Sequence, residues 1–184
     1  MPYNKETHTK AFERGGKIKY LMFLGHQKSK DGSITASCFS QWWHSPFVVD
    51  GIEYKTAEHW MMAQKALLFD DKDIFAKIIP AKTPAEAKKL GRKVSQFDET
   101  LWLEKRSEIV VAGNLHKFSQ HADLKTFLLN TKDRVLVEAS PVDRIWGIGL
   151  SADDEKSQNP LLWKGLNLLG FALMEVRDLL RISE

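Results

Sequence analysis

Phe47-Val48-Val49-Asp50-Gly51-Ile52-Glu53-Tyr54-Lys55-Thr56-Ala57-Glu58-His59-Trp60-Met61-Met62-Ala63-Gln64-Lys65 is the stretch from which the rest of the chain is read. Its first eight residues set β-formers on both sides of Asp50-Gly51. That dipeptide makes a two-residue hairpin turn, because both central positions need positive φ. From Thr56 the period becomes helical. Thr56 is a suitable N-cap, Glu58 falls in the positive first turn, and the helix is expected to run to about Phe69.

Downstream, a short helix is expected at 71–78, ending before Pro80. Thr83-Pro84-Ala85-Glu86 opens another that Gly91 closes, Asp98 caps a longer one through about Phe118, and 122–130 forms the next. Val135–Ala139 reads as a strand, Pro141–Leu150 as turns and 151–160 as a polar loop, with Asn167 capping a final amphipathic helix at 168–181. Upstream, Ile18–Leu24 reads as a strand and 25–37 as a polar loop, while residues 1–17, polar and glycine-containing, read as a loose, flexible arm. The expectation is a mainly α fold (α+β with a small β element), one domain over 18–184 behind that arm.

The composition of the 184 residues, 43% hydrophobic and 28% charged, excludes disordered and fibrous classes. There is no apolar run of about 18 residues and no signal-like N-terminus, so a cytoplasmic protein without a membrane partner is expected. The single cysteine, Cys38, excludes an internal disulfide framework. Lys+Arg outnumber Asp+Glu only 27 to 24 and are spread along the chain. Sequence-wide nucleic-acid binding is therefore not indicated, although a local basic pocket for a phosphate is allowed. The six tryptophans (42, 43, 60, 102, 146 and 163) read either as core or as a stacking wall for a planar base.

Seven residues turn a helix through about 700°, so Glu58 and Lys65 share one face about 10 Å apart, with Met61 and Met62 between them. A carboxylate and an amine at the ends of an apolar stripe suit catalysis if the face is closed. They are equally compatible with a dipole-favoured Glu58 and a Lys65 that reaches solvent at the helix edge. In Asp143-Arg144-Ile145-Trp146-Gly147-Ile148-Gly149-Leu150 the two glycines allow a tight turn that a ligand can approach, or a loop anchored by Trp146. Asn167 opens a helix whose amides suit an anion, and a plain N-cap explains it as well. The six histidines form no metal-ligand pattern, and neither a metal nor a cofactor is expected.

Phe39-Ser40-Gln41-Trp42, Ser45-Pro46-Phe47 with Asp50-Gly51 and Tyr54, Glu58-His59…Gln64-Lys65-Ala66, Lys117-Phe118, Leu136-Val137-Glu138-Ala139-Ser140-Pro141, Asp143…Trp146-Gly147…Gly149-Leu150 and Asn167…Leu169-Gly170…Leu173-Met174…Arg177 follow one another along residues 20–180. In that order they resemble the YbiA-like, or NADAR, family. One departure is Gln41, where the family usually has asparagine.

The resemblance implies a mainly helical YbiA-like fold and hydrolysis of an N-glycosidic bond. The implied substrates are ribosylamino-pyrimidine phosphates from early riboflavin synthesis, or related ADP-ribosyl compounds including ADP-ribosylated nucleic acid. The implied catalytic residues are Glu58, Lys65 (as a Schiff-base amine) and Asp143. Phe39, Trp42, Trp146, Gly147, Gly149, Asn167, Arg144 and Lys117 are implied to bind a nucleotide-like small molecule. A rival reading keeps the same pocket as a non-catalytic sensor for ADP-ribose-like nucleotides. Oligomeric state is not legible.

Overall fold

The computed structural model describes residues 2–182. Its elements are, in chain order, α1 (Lys5–Glu13), β1 (Tyr20–Phe23), β2 (Phe47–Val49), β3 (Ile52–Tyr54), α2 (Ala57–Leu68), α3 (Lys72–Ile78), α4 (Pro84–Gly91), α5 (Glu99–Gln120), α6 (Ala122–Leu129), β4 (Val135–Glu138) and α7 (Leu168–Ile182). The fold is mainly α with little strand, as the patterning predicts. The chain divides into two compact units, residues 1–40 with 122–184, and residues 41–121.

In the unit 41–121, β2 and β3 pair antiparallel with Val49 opposite Ile52. The turn between them has φ 51° at Asp50 and 78° at Gly51, the pair of positive values the sequence requires. The Phe47 and Tyr54 rings stack across the hairpin at 5.8 Å, and Trp60 meets Tyr54 edge-on at 5.0 Å. Thr56 caps α2 by accepting the His59 N–H. Residues 57–63 of α2 are all buried, because α3, α4 and α5 surround the helix. Trp60 Nε1 donates to the Ile109 carbonyl of α5 at 2.8 Å. A Cβ at Gly113 would collide with the Trp60 ring, so glycine sets how closely α5 approaches α2.

In the other unit, β1 and β4 pair in parallel from Tyr20 opposite Val135 to Phe23 opposite Glu138. α7 packs on β4 and buries Leu169, Phe171, Leu173 and Val176. Phe39 is fully buried between Phe23 and Phe127.

The segment 1–17 departs from the loose arm its composition suggests, since residues 5–13 are helical. Asn4 and Thr7 form a reciprocal capping box, His8 stacks on Trp163 at 5.4 Å, and Lys5 Nζ donates to the Trp163 carbonyl at 2.6 Å. No residue of α1 is fully buried, so the helix carries no apolar stripe by which periodicity could reveal it. The 151–160 loop likewise holds a 3-10 turn at Glu155–Gln158 and the start of another at Pro160–Leu162.

Gly170 sits where any Cβ would collide with the Leu136 carbonyl of β4 and the Asn167 amide. Gly170→Ala is therefore expected to destabilise the protein by about 3 kcal/mol in urea denaturation. Gly15→Ala, where a Cβ meets nothing within 4 Å but φ is +77°, should cost about 1 kcal/mol.

Candidate functional site

Among the described residues of the unit 41–121, Glu58 (3% exposed) and Lys117 (fully buried) are the only carboxylate and the only amine withdrawn from water. Burying either charge costs several kcal/mol unless neighbours compensate it. Glu58 lies in the first turn of α2, where the helix dipole favours a carboxylate. Lys117 lies in the last turn of α5, with its Nζ 5.1 Å from the Phe118 ring centre.

Gln41 ties the two helices together. Its carbonyl accepts the Glu58 N–H at 3.0 Å, and its Oε1 accepts from Asn114 Nδ2 at 2.8 Å. Asn114, three residues before Lys117 on α5, also donates to the Val110 carbonyl at 2.9 Å. Two donated bonds fix which end of the Asn114 amide is nitrogen and, through it, the orientation of Gln41. Gln41 Nε2 and Asn114 Oδ1 are then a buried donor and a buried acceptor with no hydrogen bond inside the protein. Such groups are rare in native interiors, and a hydroxyl or a water can serve both.

Lys65 lies two turns further along α2, near its C-terminal end. Its half-buried amine donates to the Gly91 carbonyl at 2.9 Å and lies 4.4 Å from the Phe97 ring centre and 5.4 Å from that of Trp102. Burial, reinforced by Arg92, lowers its pKa from the usual lysine value. Trp42 is half-buried with Lys88 Nζ 5.9 Å from its ring centre, while Trp43 is buried.

The remaining expected residues lie in the other unit and mostly hold one another. Asp143 Oδ1 accepts the N–H groups of Ile145 at 2.8 Å and Trp146 at 2.7 Å, so this carboxylate organises its own turn. A Cβ at Gly147 would lie 2.8 Å from the Glu138 carbonyl, and one at Gly149 would press on Lys164 and Arg144. The close approach these glycines permit is made by the protein itself rather than by a ligand. Arg144 is exposed, and its carbonyl accepts from Leu166 at 3.0 Å.

Asn167 is fully buried with φ 54°. Its amide donates to the Leu136 carbonyl at 2.9 Å and accepts from Glu138 N at 3.0 Å, clamping α7 to β4. The first amides of α7 are spent as well, Leu168 N on Ile145 and Leu169 N on Trp146. The helix start is thus tied to the 145–146 turn by these two amides. Phe39, in the core, offers no ring face to a ligand. Trp146 is half-buried.

Sequence reasoning missed Asn114. The signal was present, since Asn114 and Lys117 interrupt the apolar run Val110, Val111 and Phe118 on one helix face. Among the described residues, no group of three or more His, Cys, Asp or Glu side chains could hold a metal ion. No helix among them is long and apolar enough to cross a membrane.

The NADAR domain family matches residues 22–181. The chain is similar to N-glycosidase R617 of Acanthamoeba polyphaga mimivirus, 43% identical over 87% of this chain and 95% of that protein. It is similar also to N-glycosidase YbiA of Escherichia coli K12, 30% identical over 93% and 98%. The NMR structure of the E. coli protein YbiA superposes with a TM-score of 0.72 at 28% identity, covering 91% of this chain and 88% of that one.

His59, beside Glu58, is 1% exposed. Its Nε2 faces the Ala81 carbonyl at 3.1 Å and its Nδ1 the Thr56 hydroxyl at 2.8 Å, an arrangement that a neutral ring donating from Nε2 satisfies. Burial lowers its pKa from the usual 6.5. Below about pH 6.5 the unfolded chain takes up a proton that the native ring resists, so this contribution to stability is present above that pH and is lost as pH falls towards the native pKa. Urea midpoints should fall between pH 7.5 and pH 5.5, and by less in His59→Gln; equal falls in both proteins would refute the assignment.

Proposed function

The chain belongs to the NADAR domain family, and on that premise we propose that it hydrolyses a C–N glycosidic bond with Glu58 and Lys117 as the working pair. The observation that carries this reading is their co-burial in one unit, with Gln41 bonded both to the backbone of Glu58 and to the helix turn that bears Lys117. Catalysts place ionisable groups where burial and neighbours tune them, and structural charges are seldom withdrawn so far from water.

Cleavage of a ribosylamine begins with opening of the sugar ring, which leaves C1′ doubly bonded to the departing nitrogen. Lys117, once deprotonated, adds through Nζ to C1′. The resulting aminal expels the amine, which takes the proton that Glu58 accepted from the lysine. Water then adds to the lysine imine, releasing the sugar aldehyde and restoring the amine. If the ring stays closed, Glu58 instead activates water against a positively charged C1′. The buried donor of Gln41 and acceptor of Asn114 match a sugar hydroxyl, which accepts and donates at once.

The substrates proposed are ribosylamino-pyrimidine phosphates of early riboflavin synthesis or ADP-ribosyl derivatives of bases. Lys65 takes a structural role in this reading, its amine spanning α2 to the end of α4.

Incubating the protein with both substrate classes and identifying the released base by mass spectrometry tests the reading; unchanged substrate with saturable binding would favour a sensor. Lys117→Met and Glu58→Gln should each lower kcat by about 10²–10⁴-fold. Lys65→Met should stay within about threefold, because it removes a hydrogen bond and not a reacting group. Borohydride should fix a sugar adduct to Lys117. An adduct on Lys65, or full activity in a folded Lys117→Met protein, overturns the assignment.

A further inference from the structure

In the unit formed by residues 1–40 and 122–184, a cavity of about 770 Å³ opens at the N-terminal ends of β1 and β4. Its walls are residues 17–19 and 130–135, joined where Val135 N donates to the Lys19 carbonyl at 2.8 Å. Lys17, Lys19, Lys132 and Arg134 line it, all exposed. The one carboxylate in the lining, Asp133, already faces Arg181 at 3.5 Å.

The ground beneath the cavity is cationic as well. Arg177, 2% exposed, donates at 2.8 Å to the Thr131 hydroxyl and to the Arg134 carbonyl. Arg181 donates to the Lys132 carbonyl, and Arg134 covers the carbonyls of Asn130 and Thr131 at 3.1 Å. The carbonyl dipoles at the end of α6, which would repel an anion, are thereby neutralised. Six cations meet two carboxylates here, Asp133 and Asp178, an excess of four in a chain whose net charge is +3. These cations are scattered through the sequence and are brought to one place by the fold.

The lining contains no aromatic ring on which a base could stack. Exposed, flexible amines around an open mouth suit a row of phosphates better than one enclosed phosphate. We propose that this face binds the phosphodiester backbone of a nucleic-acid strand without sequence preference. Binding there does not depend on glycosidic turnover and is measured without it.

Fluorescence anisotropy of a labelled single-stranded oligonucleotide tests the proposal. Binding is expected, with a log–log salt slope of about −3 for four phosphate contacts. Lys17→Glu/Lys19→Glu, which leaves the backbone bond to Val135 intact, should weaken binding at least tenfold and flatten the slope by about 1.4. Lys30→Glu/Lys93→Glu, an equal charge change at exposed lysines outside this cavity, should weaken it less than threefold. No binding, equal loss in the two variants, or equally effective competition by polyglutamate of matched charge overturns the proposal.

Discussion

A carboxyl group and an amine, Glu58 and Lys117, are taken out of water in the unit 41–121. A buried carboxylate or ammonium is tolerated only if its surroundings are rigid and polar at the right points. The hairpin and Thr56 fix where α2 begins and so where Glu58 lies. Gly113 lets α5 approach α2 closely, with Asn114 next along that helix. Gln41 joins these elements by one main-chain and one side-chain hydrogen bond. Its side chain reaches Asn114 at 2.8 Å.

The loop 143–149 and Asn167 show how the same residue types serve architecture. Asp143, Gly147, Gly149 and Asn167 look like a ligand cradle in sequence because short polar side chains and glycines permit close approach. In the structure the approaching groups are the protein's own amides and carbonyls. Asn167 stands at positive φ, a conformation asparagine tolerates, and bridges successive backbone groups of β4. The strand, the loop and α7 are thereby held together, and backbone that could have served an anion is satisfied internally.

What was legible in the sequence was local. Asp50-Gly51, Thr56, Thr83-Pro84 and Asp98 announce their turn and caps through short-range chemistry, and the elements they bound lie within a residue or two of expectation. Helix α1 was hidden because its hold comes from a capping box and one ring stacked on Trp163, 155 positions away. Pairing Glu58 with Lys65 followed from helical periodicity, which identifies a shared face but not what covers it. Lys117 and Asn114 belong to another helix, and only tertiary packing brings that helix against α2. The basic cavity was hidden for the same reason, since β1–β4 pairing gathers lysines and arginines that are far apart in the chain.

A double-mutant cycle on kcat/KM with Glu58→Gln, Lys117→Met and the double variant interrogates the buried pair directly. Groups that act as one unit lose their joint contribution when either is removed, so the double variant should be no slower than the slower single variant, within about threefold. Multiplicative losses in the double variant would show that the two side chains act independently and would contradict a shared catalytic centre.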